Sequence, residues 1–281
     1  MANIKSINGG VKFFLQNPAL VKFGGNANAS SNDDLAVYML DISKYTQWES
    51  FGSDDLTEET ITITLKNKTD INRLFLTDMN LKNFSIKYKD GLGVYVDFTT
   101  VIGVNGVESA TIAETDYSYS TAYFEFDSVN TDSFLIEALE TQVPDEEKAI
   151  TGFISTSEIG TFQGFPRVQP ESSRNETKAR ALSRRYVIQK TYETNKVKIN
   201  FKSHPFQNDL DILDFIFDSE IPFLVFPCGG RTGSPYFKVD QKTWGLDDVF
   251  NMQTVGKMKN EFEKGVYTLG FKKAITLEEH I

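Results

Sequence analysis

The sequence predicts a mainly β protein: an antiparallel β-sandwich followed by a β-rich α+β domain with one clear helix. Three observations predict it. Thr60 to Gly91 packs three strand patterns into one short stretch broken only by polar residues. From Ala36 onward, apolar segments recur at intervals of about eight to fifteen residues with no helix-length pattern between them, which argues against βαβ units. The chain also holds 23 Phe and 11 Tyr, residues that favour strands and contact surfaces.

Taken in order, residues 1–35 read as an N-terminal arm. Val11 to Phe14 and Leu20 to Phe23 have the composition of short strands, and Gly24 to Asp34 that of a loop. Val37–Leu40 is the next apolar segment. Ile61, Ile63 and Leu65 alternate with Thr62, Thr64 and Lys66, the period of a half-buried strand. Ile71–Leu76 is mostly apolar, as in a strand buried on both faces. Phe84, Ile86 and Tyr88 alternate with Ser85, Lys87 and Lys89, and Asp90-Gly91 then supplies turn chemistry. Tyr95–Phe98, Tyr123–Phe126, Phe134–Ala138 and Ile150–Ser155 complete a unit over 36–164. The Pro-, Ser- and charge-rich run Gly164–Lys178 reads as the boundary, with the second unit over 165–281. There, strands are expected at Tyr186–Gln189, Lys196–Phe201, Pro222–Pro227, Phe237–Asp240, Asp248–Gln253 and Gly265–Lys273. One amphipathic helix is expected after an N-cap at Asn208 or Asp209, with Leu210, Ile212, Leu213, Ile216 and Phe217 on one face.

The 281 residues carry a net charge of −10, unevenly distributed. Residues 1–164 hold 11 Lys+Arg against 24 Asp+Glu, a net −13; the remainder hold 18 against 15, a net +3. An acidic first unit repels nucleic acid and anionic membranes, and it equally serves solubility. No apolar run approaches a membrane span, and no Sec-type signal pattern opens the chain. The single cysteine, Cys228, excludes an internal disulfide framework and fits a reducing compartment.

Catalytic chemistry finds little support. His204, before Pro205, reads as structural, and His280 is penultimate. Cys228-Gly229-Gly230-Arg231-Thr232-Gly233 lacks the Gly-Lys-Ser/Thr ending of a phosphate loop and reads as a glycine turn. Asp54-Asp55 and Glu58-Glu59 form an acidic turn that lacks the spacing of a calcium loop. Nothing marks two of the 39 acids as a glycosidase pair. Asn28, Asn67, Asn83 and Asn175 stand in glycosylation triplets that read as chance matches without a signal peptide. No catalytic residue, metal ligand or cofactor is therefore expected. Arg174, Lys178, Arg180, Arg184 and Arg185 form the most prominent basic run, suited to nucleic acid, to an acidic surface such as the first unit of a neighbouring copy, or equally to a solvated linker face.

In order and spacing, Glu59–Leu65, Asp70–Leu76, Asn83–Tyr88, Tyr123–Phe126, Asp132–Glu137 and Ile150–Ile159 resemble the strands of a discoidin-type, galactose-binding-like β-sandwich. The resemblance implies a ligand such as a sugar, lipid or protein, bound by loops at one end. The second unit resembles structural proteins of tailed bacteriophages, tail-tube and distal-tail or baseplate components, through Lys196–Phe201, Asp209–Phe217, Ile221–Gly230 and Trp244–Phe250. That resemblance implies a non-enzymatic virion protein assembled in the host cytoplasm. Its partners would be copies of itself in a ring and other virion proteins. The alternative is a carbohydrate-binding module that meets a host-surface glycan. It expects exposed aromatics at loop tips, with Trp48, Tyr117 and Tyr119 as candidates.

Overall fold

A computed structural model describes residues 12–41, 46–102, 108–109, 111–162, 167–180, 186–200, 207–218, 223–226, 250–254 and 274–279. In chain order the strands are β1 (Lys12–Phe14), β2 (Asn26–Ala29), β3 (Trp48–Glu49), β4 (Glu59–Met79), β5 (Leu81–Lys89) and β6 (Tyr95–Val96). Next come β7 (Val101–Ile102), β8 (Glu108–Ser109), β9 (Ile112–Glu114), β10 (Ala122–Thr141), β11 (Ala149–Thr156) and β12 (Glu158–Thr161). The second half contributes β13 (Arg167–Arg180), β14 (Tyr186–Asn200), β15 (Phe223–Phe226), β16 (Phe250–Thr254) and β17 (Ala274–Glu279). A one-turn helix α1 (Asp33–Ala36) precedes β3, and helix α2 (Gln207–Asp218) lies between β14 and β15. The fold is mainly β and antiparallel, with one clear helix, as the sequence predicts.

Two long strands build the sandwich. Residues 59–64 of β4 pair with β2 and with residues 133–138 of β10, which in turn pair with β5. Residues 73–79 of β4 pair instead with β11, and 73–76 pair with 122–125 of β10. The register slips between these blocks, at 126–128 and 132 of β10. Each long strand therefore contributes one half to each of two layers, as bulged strands do at sandwich corners. The strand patterns expected at Ile61–Leu65 and Ile71–Leu76 are these two halves of β4, and Tyr123–Phe126 and Phe134–Ala138 are those of β10. Polar residues at the bends, Lys66 to Asp70 and Asp127 to Asn130, interrupt the apolar pattern without ending the strand.

One core joins the layers. Ile61, Ile63, Phe75, Ile86, Phe134, Ile136 and Phe153 are all buried in it. Phe134 meets Phe153 at 5.5 Å between ring centroids, and Phe75 meets Tyr123 at 4.6 Å. Val37–Leu40, expected as a strand, is a 3-10 turn that buries Met39 and Leu40.

The detached N-terminal arm is corrected for residues 12–35. β1 pairs with both β12 and β15, β2 pairs with β4, and Phe13 and Phe14 are buried. Asn17 is fully buried: its Nδ2 donates to the Phe153 carbonyl at 2.9 Å, and its Oδ1 accepts from Ala19 N and Ser155 N, each at 3.1 Å. In the loop-like run Gly24–Asp34, Gly24 and Gly25 turn the chain into β2, whose Asn26 and Asn28 pair with β4. Leu20–Phe23 contains a 3-10 turn instead of a strand.

The second sheet runs β12-β1-β15-β16-β17-β14-β13. It takes β1 and β12 from the first 164 residues, so the expected boundary falls within a sheet. The proline-bearing run expected as a linker is strand β13; Pro170 pairs with Val197 on the edge strand, where a missing N–H is tolerated. Helix α2 lies where the apolar periodicity places it, with Ile212 and Ile216 buried. Strand β17 was not expected from the sequence. His204, Cys228–Gly233, Phe237–Asp240 and Gly265–Lys273 lie outside the described residues.

Candidate functional site

The pairing pattern gives the sandwich two unlike ends. The bends of β4 and β10 lie at one end, beside the seam with the second sheet. At the other end the chain termini of β4, β5, β10 and β11 converge on Asn80. Its Nδ2 donates to the Glu147 carbonyl at 2.7 Å, its Oδ1 accepts from Ala149 N at 2.8 Å, and its own carbonyl accepts from Gln142 N at 2.7 Å. Loops 50–58, 115–121 and 142–148 meet here. β11 separates this loop end from the seam by eight residues, about 26 Å of extended strand.

The loop after β3 is held by two side chains from the loop that enters β11. Glu147 accepts from Ser50 Oγ at 2.7 Å, Gly52 N at 2.8 Å and Ser53 N at 3.2 Å. Gly52 adopts φ +70, a backbone that favours glycine. Lys148 is fully buried, with its Nζ donating to Ser53 Oγ at 2.7 Å and to the Asp54 carbonyl at 2.8 Å. The acids beside it are committed to the same turn. The Thr57 hydroxyl and Leu56 N–H hold the Asp54 carboxyl below its ordinary value, and Thr141 N–H does the same for Asp55. The Ser50 hydroxyl leads in lowering Glu147. Asp54 and Asp55 thus brace turns around an internal ammonium, and no metal-binding cluster of His, Cys, Asp and Glu occurs among the described residues.

This scaffold lifts Phe51 into solvent at 77 % exposure, with Leu56 at 89 % and Val143 at 52 % on the loops around it. Phe51 is flanked by serine and glycine and Leu56 by aspartate and threonine, so these apolar groups stand on a hydrogen-bonded polar base. The structure brings the three aromatic candidates to this same end but not into solvent. Trp48 is fully buried and donates its Nε1 to the Ser31 carbonyl at 3.0 Å. Tyr117 is 6 % exposed, stacks edge-on against Phe84 and donates its hydroxyl to the Thr121 carbonyl at 2.6 Å. Tyr119 is partly buried against the core and its carbonyl accepts from Gln142 Nε2. The expected exposure is therefore corrected for Trp48 and Tyr117, whose rings fill the core beneath the loops, while Tyr119 is half-buried at its edge. Phe51 takes the exposed place that sequence reasoning assigned to them. The available signal was a single aromatic inside the turn-forming run Ser50-Phe51-Gly52-Ser53.

The other polar cluster lies at the seam. Arg73 of β4 pairs with Glu158 of β12 and lies 3.7 Å from Glu125 of β10; Lys12 of β1 meets Glu125 at 2.9 Å. Tyr123 donates its hydroxyl to Glu125 at 2.7 Å, and burial, with that carboxylate beside it, raises the phenol well above its ordinary pKa. Burial pushes the Glu125 carboxyl up, but Lys12 and Arg73 outweigh it and hold the group below its ordinary value. With a guanidinium set between them, Glu125 and Glu158 are a clamp across the seam; Glu125 carries no proton to donate at neutral pH. Burial raises the carboxyl of Glu114, which lies on β9 away from this pair.

Among the basic residues proposed for assembly, Arg174, Lys178 and Arg180 lie on β13, opposite Glu193, Ile188 and Tyr186 of β14. Arg184 and Arg185 lie outside the described residues. No described helix is long and apolar enough to cross a membrane.

No family model matches the chain, and no curated protein matches it. Solved structures do match at low identity. Chitosan-binding module 1 from the chitosanase/glucanase of Paenibacillus sp. IK-5 is 16% identical over 50% of this chain and 98% of its own, with a TM-score of 0.39. The family 32 carbohydrate-binding module of Clostridium perfringens NanJ, solved with galactose, is 16% identical over 52% of this chain and 99% of its own, at 0.38. A further C. perfringens module, CpGH89CBM32-5, solved with GalNAc-β-1,3-galactose, is 15% identical over 50% and 98%, at 0.38.

Proposed function

We propose that this chain is a non-catalytic carbohydrate-binding protein that takes a sugar at the loop end of its sandwich. The observation that carries the reading is Phe51, a largely exposed aromatic ring on a loop pinned from below by Glu147 and Lys148. A rigid ring in water offers a flat apolar platform for the C–H face of a pyranose at little ordering cost. Leu56 and Val143 extend it, and the surrounding Asp145 and Glu146 supply acceptors for sugar hydroxyls at the rim. Phe51→Ala is expected to weaken glycan binding by about 10- to 100-fold, the worth of one buried aromatic contact. Because the ring is already exposed, the melting temperature should stay within about 1 °C of the parent. Calorimetric titration with glycans selected on an array checks both statements. Unchanged affinity in the variant rejects the site.

A second reading, an assembly role within a larger particle, draws on one feature of the second sheet. β13 and β14 pair along their lengths, whereas of the ribbon only Lys196–Asn200 pairs onward, to β17. The rest of the ribbon keeps both edges free among the described strands, and such edges recruit a neighbouring chain. Light scattering is expected to find an oligomer of fixed copy number under this reading; a monomer at all concentrations removes it.

A further inference from the structure

An open groove of 290 Å³ lies at the opposite, bend end of the sandwich, lined by Gln16, Pro18, Phe23, Lys66, Asn67 and Thr69. Its floor is mainly apolar and includes the Phe23 ring, which is 42 % exposed. Lys22 sits over one face of that ring, its Nζ 5.4 Å from the centroid. Gly24, at φ +88, lets the Lys66 stem lie against the turn, with Lys66 Cδ only 3.0 Å from where a Cβ would be.

The charges make this groove unlike the rest of the unit. Among the described residues 12–162, Lys12, Arg73, Lys82, Lys87 and Lys89 are in ion pairs, and Lys148 is enclosed by loop oxygens. The three remaining cations are Lys22, Lys66 and Lys68, all exposed and none in an ion pair among the described residues. Lys22 covers the groove's ring and Lys66 lines it; Lys68 is the sequence neighbour of its lining residues Asn67 and Thr69. Two cations free of ion pairs among the described residues thus meet at one apolar-floored groove, with a third next to it along β4, on a unit of net −13.

We propose that this groove binds an anionic polysaccharide, one whose sugars carry carboxylate or sulfate groups. The apolar floor suits a pyranose face, the amide and hydroxyl side chains suit its hydroxyls, and lysine, a mobile point charge, suits either anion. The acidic body around the groove disfavours a long continuous polyanion such as a nucleic acid, whose further phosphates would meet repulsion. The proposal is independent of the Phe51 site, which lies at the other end.

The test is affinity electrophoresis of the full chain in polygalacturonate and in dextran sulfate, with neutral dextran, poly-glutamate and single-stranded DNA as comparisons. The parent should be retarded by one or both charged polysaccharides, and the two gels distinguish carboxylate from sulfate. The exposed triple variant Lys22→Gln, Lys66→Gln, Lys68→Gln should lose about tenfold or more in affinity while keeping its circular dichroism spectrum. Phe51→Ala should bind these polymers as the parent does. Failure of the parent to bind either charged polysaccharide overturns the proposal. So does undiminished binding by the triple variant, or equal retardation by poly-glutamate or DNA, which would show charge alone at work.

Discussion

Lys148→Met is expected to lower the unfolding free energy by about 2–4 kcal/mol, the cost of stripping a hydrogen-bonded charge from a buried site. The methionine fills the same channel, so the loss isolates the ammonium. That group bonds Ser53 Oγ and the Asp54 carbonyl, and its charge also helps hold Asp54, Asp55 and Glu147 ionised. Without it, the carbonyl and hydroxyl lose their donor while three carboxylates keep their mutual repulsion. Loop 50–58 should loosen first. Urea denaturation gives the stability, and hydrogen exchange at Gly52 and Ser53 reports the loop. A variant as stable as the parent, with those amides equally protected, would show that the loop does not depend on Lys148. Because Phe51 stands on this loop, the same variant should also bind glycan more weakly, through a platform that must be ordered on binding.

The seam gives the other large effect. Arg73→Met is expected to cost about 3–5 kcal/mol, since it leaves Glu158 and Glu125 partly buried with less positive charge between them. It should also change the response to acid. Glu125 is depressed below 4.5, its ordinary value, in the folded protein. Its contribution is therefore fully present above pH 4.5 and is lost as the pH falls through the depressed value. Removing Arg73 reduces the depression, so the stability gap between parent and variant should be widest near neutrality and narrow below about pH 4.5. Urea midpoints measured from pH 7 down to pH 3 check the trend. A gap that widens in acid would contradict the assignment of Glu125 as an ionised partner.

Much of the sandwich could be read from the sequence, because its strands announce themselves locally. The alternation at Ile61–Leu65 and Phe84–Tyr88 depends only on which face is buried, and helix α2 on where its apolar residues recur. The continuity of β4 and β10 was not legible. Bends rich in Lys, Asn and Asp look like turns, and only the partner strand shows that the chain keeps its extended course. The short strand expected at Val11–Phe14 is present as β1, but its docking was not legible, because its partners β12 and β15 lie far away in sequence. Residues Gly164–Lys178 have the composition of a linker but lie largely in an edge strand, where Pro170 costs little.

The loop end was half legible. Sequence reasoning placed Trp48, Tyr117 and Tyr119 at loop tips; they lie at the loop end, but Trp48 and Tyr117 are buried. Exposure is a property of the packed loops: Trp48 turns inward because Ser31 offers its carbonyl to the indole, and Phe51 turns outward because Glu147 takes the Ser50 hydroxyl before it and the Gly52 N–H after it. Locally, only the turn-forming residues around Phe51 distinguish the two.

The most direct test of the loop-end site is an amide NMR titration of the full chain with the best glycan from an array. The account predicts progressive shifts confined to residues 50–57 and 142–148, abolished by Phe51→Ala, with the strands of the core unmoved. Shifts that leave these loops untouched, or that persist in Phe51→Ala, would contradict it.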